Sequence, residues 1–143
     1  MVDLQTILND HRSRKIKDDE VTSSQAQGPT KAPTTAKIPD LFFDSVLVQF
    51  KLNRVEIQVL MYLYRQVWTR PNLYKIYGIS QVLSHTELAK SLGLTLDDVY
   101  HSLRTLEGYG FIATVRSGQY FVRKYFTKDN DEAFSQTYDD FEI

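Results

Sequence analysis

A single residue, Leu94, separates the stop signal of one short helix from the start signal of the next, and no other feature of this 143-residue chain constrains its fold as tightly. Ser84-His85-Thr86-Glu87 has the form of a capping box, in which a side-chain oxygen accepts from the backbone N–H three residues on and the acid reaches back. Leu88, Ala89 and Leu92 give the helix that follows an apolar face, and Gly93 supplies the left-handed conformation that closes it. Thr95-Leu96-Asp97-Asp98 then repeats the start pattern. Helices this close in sequence must be joined by a tight turn, so the spacing predicts a helix-turn-helix. The second helix of the pair places Leu96, Val99, Leu103 and Leu106 on one side at a 3.6-residue period, and Gly108 or Gly110 ends it.

The flanking sequence supplies the rest of a domain. Upstream, Ile38-Pro39-Asp40 leads into Leu41, Phe42, Phe43, Val46, Leu47 and Phe50, a short apolar helix or lead-in. Asn53-Arg54-Val55-Glu56 is another capping box, and the helix it starts carries Ile57, Leu60, Met61, Tyr64, Val67 and Trp68 at helical spacing until Pro71-Asn72 stops it. Tyr74 to Leu83 reads as a loop running into a short strand at Ile79 to Leu83. Downstream, Phe111 to Arg116 and Gln119 to Phe126 alternate on either side of Ser117-Gly118, which is a β-hairpin pattern. The expected fold class is therefore mainly α with a small β-hairpin: a winged helix-turn-helix domain over residues 38 to 128, the hairpin being the wing, flanked by disordered N- and C-terminal tails.

Composition sets the limits of that domain. Residues 21 to 37 are rich in Ser, Thr, Gln, Pro and Ala and bury too little apolar surface to offset their ordering entropy, so residues 1 to 37 are expected to be a flexible N-terminal segment and linker. Leu4, Ile7 and Leu8 within it have the spacing of a short amphipathic helix. Residues 129 to 143 form an acidic-aromatic C-terminal tail. The chain is 42% hydrophobic, yet no stretch approaches the roughly 20 apolar residues of a membrane span, and no apolar run follows the basic residues near the start as a secretory signal requires. A cytoplasmic protein with no membrane partner is expected. Cysteine is absent, which removes disulfides and thiolate metal sites. The histidines are scattered, and no phosphate-cradling glycine loop or nucleophile elbow is present, so no metal, no cofactor and no enzymatic activity are expected.

The net charge of -1 is unevenly spread. Residues 38 to 128 hold eleven Lys or Arg against seven acids, whereas residues 129 to 143 hold six acids and no base. The central region is mildly basic, and the acidity belongs to the C-terminal tail.

With these elements placed, residues 38 to 112 resemble the winged-helix N-terminal domains of phage replication protein O and related replication initiators. The resemblance rests on Ile38-Pro39-Asp40, on the helix from Val55 to Arg65, on Ile79-Ser80, on Thr86 to Thr95, and on Ser102-Leu103-Arg104-Thr105-Leu106-Glu107 with Tyr109-Gly110-Phe111-Ile112. The latter half is also similar to MarR-like transcription factors. The resemblance implies double-stranded DNA as the partner, in replication initiation or transcription regulation.

In that geometry the second helix of the motif enters the major groove. A helical projection turns Asp97, His101, Arg104 and Thr105 away from the apolar stripe, making them the candidates for base contact. Arg104 can fork onto guanine and Asp97 can accept from cytosine, although two acids at this helix start repel phosphate. Arg54, Lys90, Arg116, Arg123, Lys124 and Lys128 are the candidates for contact with the DNA backbone. Tyr62, Tyr64, Trp68, Tyr74 and Tyr77 lie at helical or strand spacing and are expected in packing rather than in a stacking platform for single strands. Phe134, Tyr138, Phe141 and Ile143 are spaced among acids and suit docking to a protein partner, with competition against DNA as the other reading of this tail. The sequence also leaves open a protein partner for the N-terminal segment, a homodimer, and an alternative role as an interaction adaptor or ligand-responsive regulator.

Overall fold

The computed structural model describes residues 32 to 141, so the amphipathic N-terminal segment, most of the linker and Ile143 lie outside the described residues. The structure is mainly helical, with five α-helices and one small antiparallel sheet among the described residues. A π-helical turn at Phe42–Val46 continues into α1 at Leu47–Gln49, forming the lead-in. Helix α2 spans Arg54–Tyr64 and runs on through a π-helical turn at Arg65–Thr69. Its start is the expected capping box: Glu56 N–H donates to Asn53 Oδ1 at 2.8 Å, and Asn53 N–H donates to Glu56 Oε1 at 2.9 Å. Asn72 secures its far end by donating to the carbonyls of Val67 and Ile79.

Helices α3 (His85–Leu92) and α4 (Leu96–Gly108) follow with the predicted turn between them. Gly93 has φ +68°, and Leu94 N–H returns to the Ala89 carbonyl at 2.9 Å, which closes α3 as a left-handed cap. Thr95 accepts from Asp98 N–H at 3.1 Å and starts α4. The turn between the two helices therefore takes only Gly93 to Thr95. Val99, Leu103 and Leu106 are buried as the periodicity predicts, and α4 packs chiefly on α2. Leu96 differs: it is 40% exposed, and the buried stripe instead takes in Ser102.

Strands β1 (Ile112–Arg116) and β2 (Gln119–Val122) pair antiparallel around Ser117-Gly118, with a register irregularity between Thr114 and Arg116. Both strands are shorter than the alternation suggested. The expected strand at Ile79 to Leu83 is reduced to one bridge, Ile79 to Phe121. Backbone bonds from Val122 N–H to the Gly78 carbonyl and from Ser80 N–H to the Tyr120 carbonyl still tie this stretch to β2, and side chains add to them: Ser80 Oγ accepts from Tyr120 N–H at 3.1 Å, and Gln119 Nε2 donates to the Ser80 carbonyl at 2.9 Å. The hairpin tip is packed rather than projecting, since Gly118 is buried and accepts from Leu83 N–H.

The core lies between the lead-in, α2, α3, α4 and the sheet, and includes Phe42, Leu60, Leu63, Tyr64, Leu88, Leu106, Phe111 and Phe126. Phe126 stacks on Tyr64 with ring centroids 5.0 Å apart, and it holds φ +78° to do so. Such a conformation is costly for a bulky residue, so burial of the ring must offset it.

The disordered C-terminal tail of the sequence reading is corrected by the structure. Helix α5 spans Lys128–Ala133, capped by Thr127, and the chain beyond it packs back on the domain. Asp131 is buried; its carboxylate accepts from Arg123, from Tyr125 N–H and from the Tyr138 hydroxyl. Tyr138 lies edge-on to Phe121 and close over Gly78, where a Cβ would fall 2.8 Å from its ring. Phe141 meets the rings of Tyr74 and Tyr77. Aromatic area and one buried carboxylate order a segment whose composition alone reads as solvated.

Candidate nucleic-acid interface

Helix α4 is held by its inner face and leaves its outer face open. Burial of Val99, Leu103 and Leu106 fixes the rotation of the helix, and the 3.6-residue period then turns Asp97, His101 and Arg104 outward. All three are exposed and lie on one stripe, as projected. Thr105 is half-buried, and its hydroxyl donates to the His101 carbonyl at 3.1 Å, so that donor is engaged within the helix.

Tyr100 belongs to the same outer surface and was missed by reading only the residues opposite the apolar stripe. It is 39% exposed and lies edge-on to His85, with ring centroids 5.0 Å apart. His85 Nε2 in turn shares a hydrogen bond with the Tyr120 hydroxyl of β2. Three elements, α3, α4 and the hairpin, therefore meet in one aromatic cluster beside the exposed stripe. Burial pushes the Tyr120 phenol up to about 12 from the ordinary value of 10.0, with the Glu107 carboxylate and Tyr100 adding to the rise and a backbone hydrogen bond at Gly118 opposing it. Tyr100 flanks the apolar stripe in projection, next to Arg104, so the signal for it was an aromatic at the edge of the outer face rather than opposite the core.

The backbone-contact candidates divide into two sets. Arg54, Lys90, Arg116 and Lys128 are exposed. Arg116 Nε also donates to Gln119 Oε1 at 2.9 Å, which steadies it against the hairpin. Arg123 and Lys124 are half-buried and in contact with other parts of the domain. Arg123 pairs with Asp131 at 3.1 Å and donates from Nε to the Gly110 carbonyl, because the C-terminal segment places a buried carboxylate beside it. Lys124 lies half-buried, with its ammonium 5.6 Å from the Trp68 ring centre.

Three of the four partner-tail candidates, Phe134, Tyr138 and Phe141, touch other parts of the chain, and Ile143 lies outside the described residues. Tyr138 and Phe141 make the contacts described above, and the Phe134 ring lies tilted against Tyr125 with centroids 4.8 Å apart while keeping 57% of its surface exposed. The bonds of this segment run to residues 76 and 123 to 125, and its rings meet residues 68, 74, 77, 121 and 125. The five acids of residues 129 to 141 thus belong to the folded unit and offset the basic balance of residues 38 to 128.

Among the described residues no helix is long and apolar enough to cross a membrane, and no three His, Asp or Glu side chains cluster as metal ligands. No family model, curated protein or solved structure matches the chain.

Proposed function

We propose that this chain is a winged helix-turn-helix module that binds double-stranded DNA, with α4 in the major groove and the hairpin region against the backbone. The observation that carries this reading is the stripe of Asp97, His101 and Arg104, exposed on the second of two helices joined by a tight turn. An arginine so placed can donate twice to guanine, and a histidine beside it adds a further donor or acceptor. Arg54, Lys90, Arg116 and Lys128 supply the charge for phosphate contact. The resemblance to replication protein O adds replication initiation as the setting, with transcriptional control as the other.

Binding to a random duplex across a salt series tests the proposal. Phosphate neutralisation predicts that log K falls with log salt by about 0.9 per phosphate contacted, and no binding at about 50 mM salt would refute it.

A second reading is favoured by Asp97 and Asp98, exposed at the α4 start, and by the internal pairing of Arg123. Under it the module is an interaction adaptor whose α4 face meets a basic protein surface. Binding of duplex with a steep salt slope would exclude that reading.

A further inference from the structure

A groove of about 650 Å³ opens between the end of α2, the residues entering the lead-in and the exit of β2. Its volume lies within the roughly 300 to 1,000 Å³ usual for small-ligand sites. Three lysines, Lys37, Lys75 and Lys124, line it against one carboxylate, Asp40, and Trp68 and Tyr125 form its aromatic wall. Among the described residues none of these four charges is in an ion pair. Lys37 and Lys75 are exposed, and Lys124, Trp68 and Tyr125 are half-buried, so each keeps surface that a ligand can reach from solvent. Three cations against one anion favour an anionic occupant.

The groups of the wall are held in place. Lys124 N–H donates to the Tyr138 hydroxyl at 2.8 Å, and its carbonyl accepts from the Tyr64 hydroxyl at 2.9 Å. Trp68 Nε1 donates to the Val122 carbonyl at 3.0 Å, which fixes the indole. Above these anchors the Lys124 ammonium rests 5.6 Å from the Trp68 ring centre and 5.9 Å from the Tyr125 ring centre. Ring quadrupoles offset its charge only in part, and its flexible stem lets it leave the rings for an incoming anion. That exchange uncovers aromatic surface for a planar group carried by the same ligand.

We infer that this groove binds a nucleoside phosphate, as a free nucleotide or as an unpaired nucleotide of a single strand. The lysines supply charge for the phosphates, and Trp68 and Tyr125 supply the surface on which a base stacks. Asp40 can accept from a sugar hydroxyl. A base within a duplex has both faces covered by its neighbours, so the groove lies beyond the duplex reading, whose stripe belongs to α4.

The test uses the full chain without duplex, titrated with thymidine diphosphate, a short oligothymidylate and inorganic pyrophosphate, each followed by calorimetry. Trp68 is the single tryptophan of the chain, so its emission reports contact with the base. Thymidine diphosphate should saturate, bind at least about fivefold more tightly than pyrophosphate, and change that emission. A free-nucleotide site takes thymidine diphosphate at least as tightly as the oligothymidylate, whereas a single-strand site prefers the oligothymidylate, and either result supports the assignment. Lys37→Glu combined with Lys75→Glu, both at exposed positions, should weaken binding at least about tenfold. Lys51→Glu, exposed and outside the groove, should leave it unchanged. Absence of saturable binding by both thymidine ligands, pyrophosphate binding as tightly as thymidine diphosphate, an unchanged Trp68 emission, or equal losses from Lys51→Glu and the paired reversal would overturn the assignment.

Discussion

The Tyr138 hydroxyl donates to the Asp131 carboxylate across 2.6 Å and accepts from the backbone N–H of Lys124 at 2.8 Å, tying the last residues of the chain to the exit of β2. Removing the carboxylate leaves Arg123, Tyr125 N–H and the phenol without their shared acceptor. Asp131→Ala should therefore lower stability by about 2 to 4 kcal/mol, less than a fully buried ion pair would lose because Arg123 can rehydrate. Tyr138→Phe should cost about 1 to 2 kcal/mol. Urea denaturation measures both, and an unchanged midpoint for Asp131→Ala would show that the anchor contributes nothing. Deleting residues 129 to 143 should likewise lower the melting temperature, and on the DNA reading it should raise affinity for duplex, since it removes six acids and releases Arg123 from Asp131; unchanged affinity in a folded variant would count against a backbone role for Arg123.

Two glycines with similar backbone angles should respond differently to alanine. Gly93 has φ +68° and open space where a Cβ would stand, so Gly93→Ala should cost only the left-handed conformation, about 1 kcal/mol. Gly118 has φ +84°, and a Cβ there would fall 2.5 Å from the Leu83 carbonyl oxygen. Gly118→Ala must also displace backbone and should cost at least about 2 kcal/mol. Equal thermal shifts for the two variants would show that the hairpin tip yields without resistance.

Stability should fall in alkali before the chain as a whole is stripped of charge. The Tyr120 phenol is raised from 10.0 to about 12, and burial also raises Tyr64 and Tyr138, so the folded state holds these protons more firmly than the unfolded state. Their contribution is complete below pH 10 and is lost as pH rises through the folded values. Denaturation midpoints measured from pH 9 upward should decline beginning near pH 10, and Tyr120→Phe should reduce the slope between 10 and 12. A slope unchanged by Tyr120→Phe would remove this residue from the explanation.

On the DNA reading, Arg104→Ala should relax base preference at one position by about 1 to 3 kcal/mol, whereas Lys90→Ala should weaken all sequences alike and flatten the salt dependence. Asp97→Asn should strengthen binding to random duplex by removing a charge that repels phosphate. Competition binding with matched and scrambled duplexes separates these effects. Identical losses from Arg104→Ala and Lys90→Ala on every sequence would remove α4 from the groove.

Local signals were the legible ones. The Asn53 box, the Gly93 cap, the Thr95 start and the Ser117-Gly118 turn each act over a few residues, and the structure contains each of them. The outward turn of Asp97, His101 and Arg104 was also legible, because it follows from helical period once the apolar stripe is known. Contacts distant in sequence were not. Asp131 is the nearer case: its partners Arg123 and Tyr138 lie eight and seven residues away, yet no capping or periodic pattern singles this acid out from its neighbours. Ser80 and Gln119 look like ordinary polar residues of a strand, yet their buried side chains add hydrogen bonds between residues 80 and 120 across nearly forty residues of chain.

On the DNA reading, the packed hairpin tip limits how much of a duplex one copy could survey. Gly118 abuts Leu83, so the hairpin adds little reach beyond the body of the domain. The first two turns of α4 then set the footprint, about 10 Å, which at about 3.4 Å per base pair amounts to some three base pairs. A segment that short recurs throughout any genome. Selectivity would have to come from two copies on half-sites about 34 Å apart, the spacing at which the same groove returns to one side of the duplex.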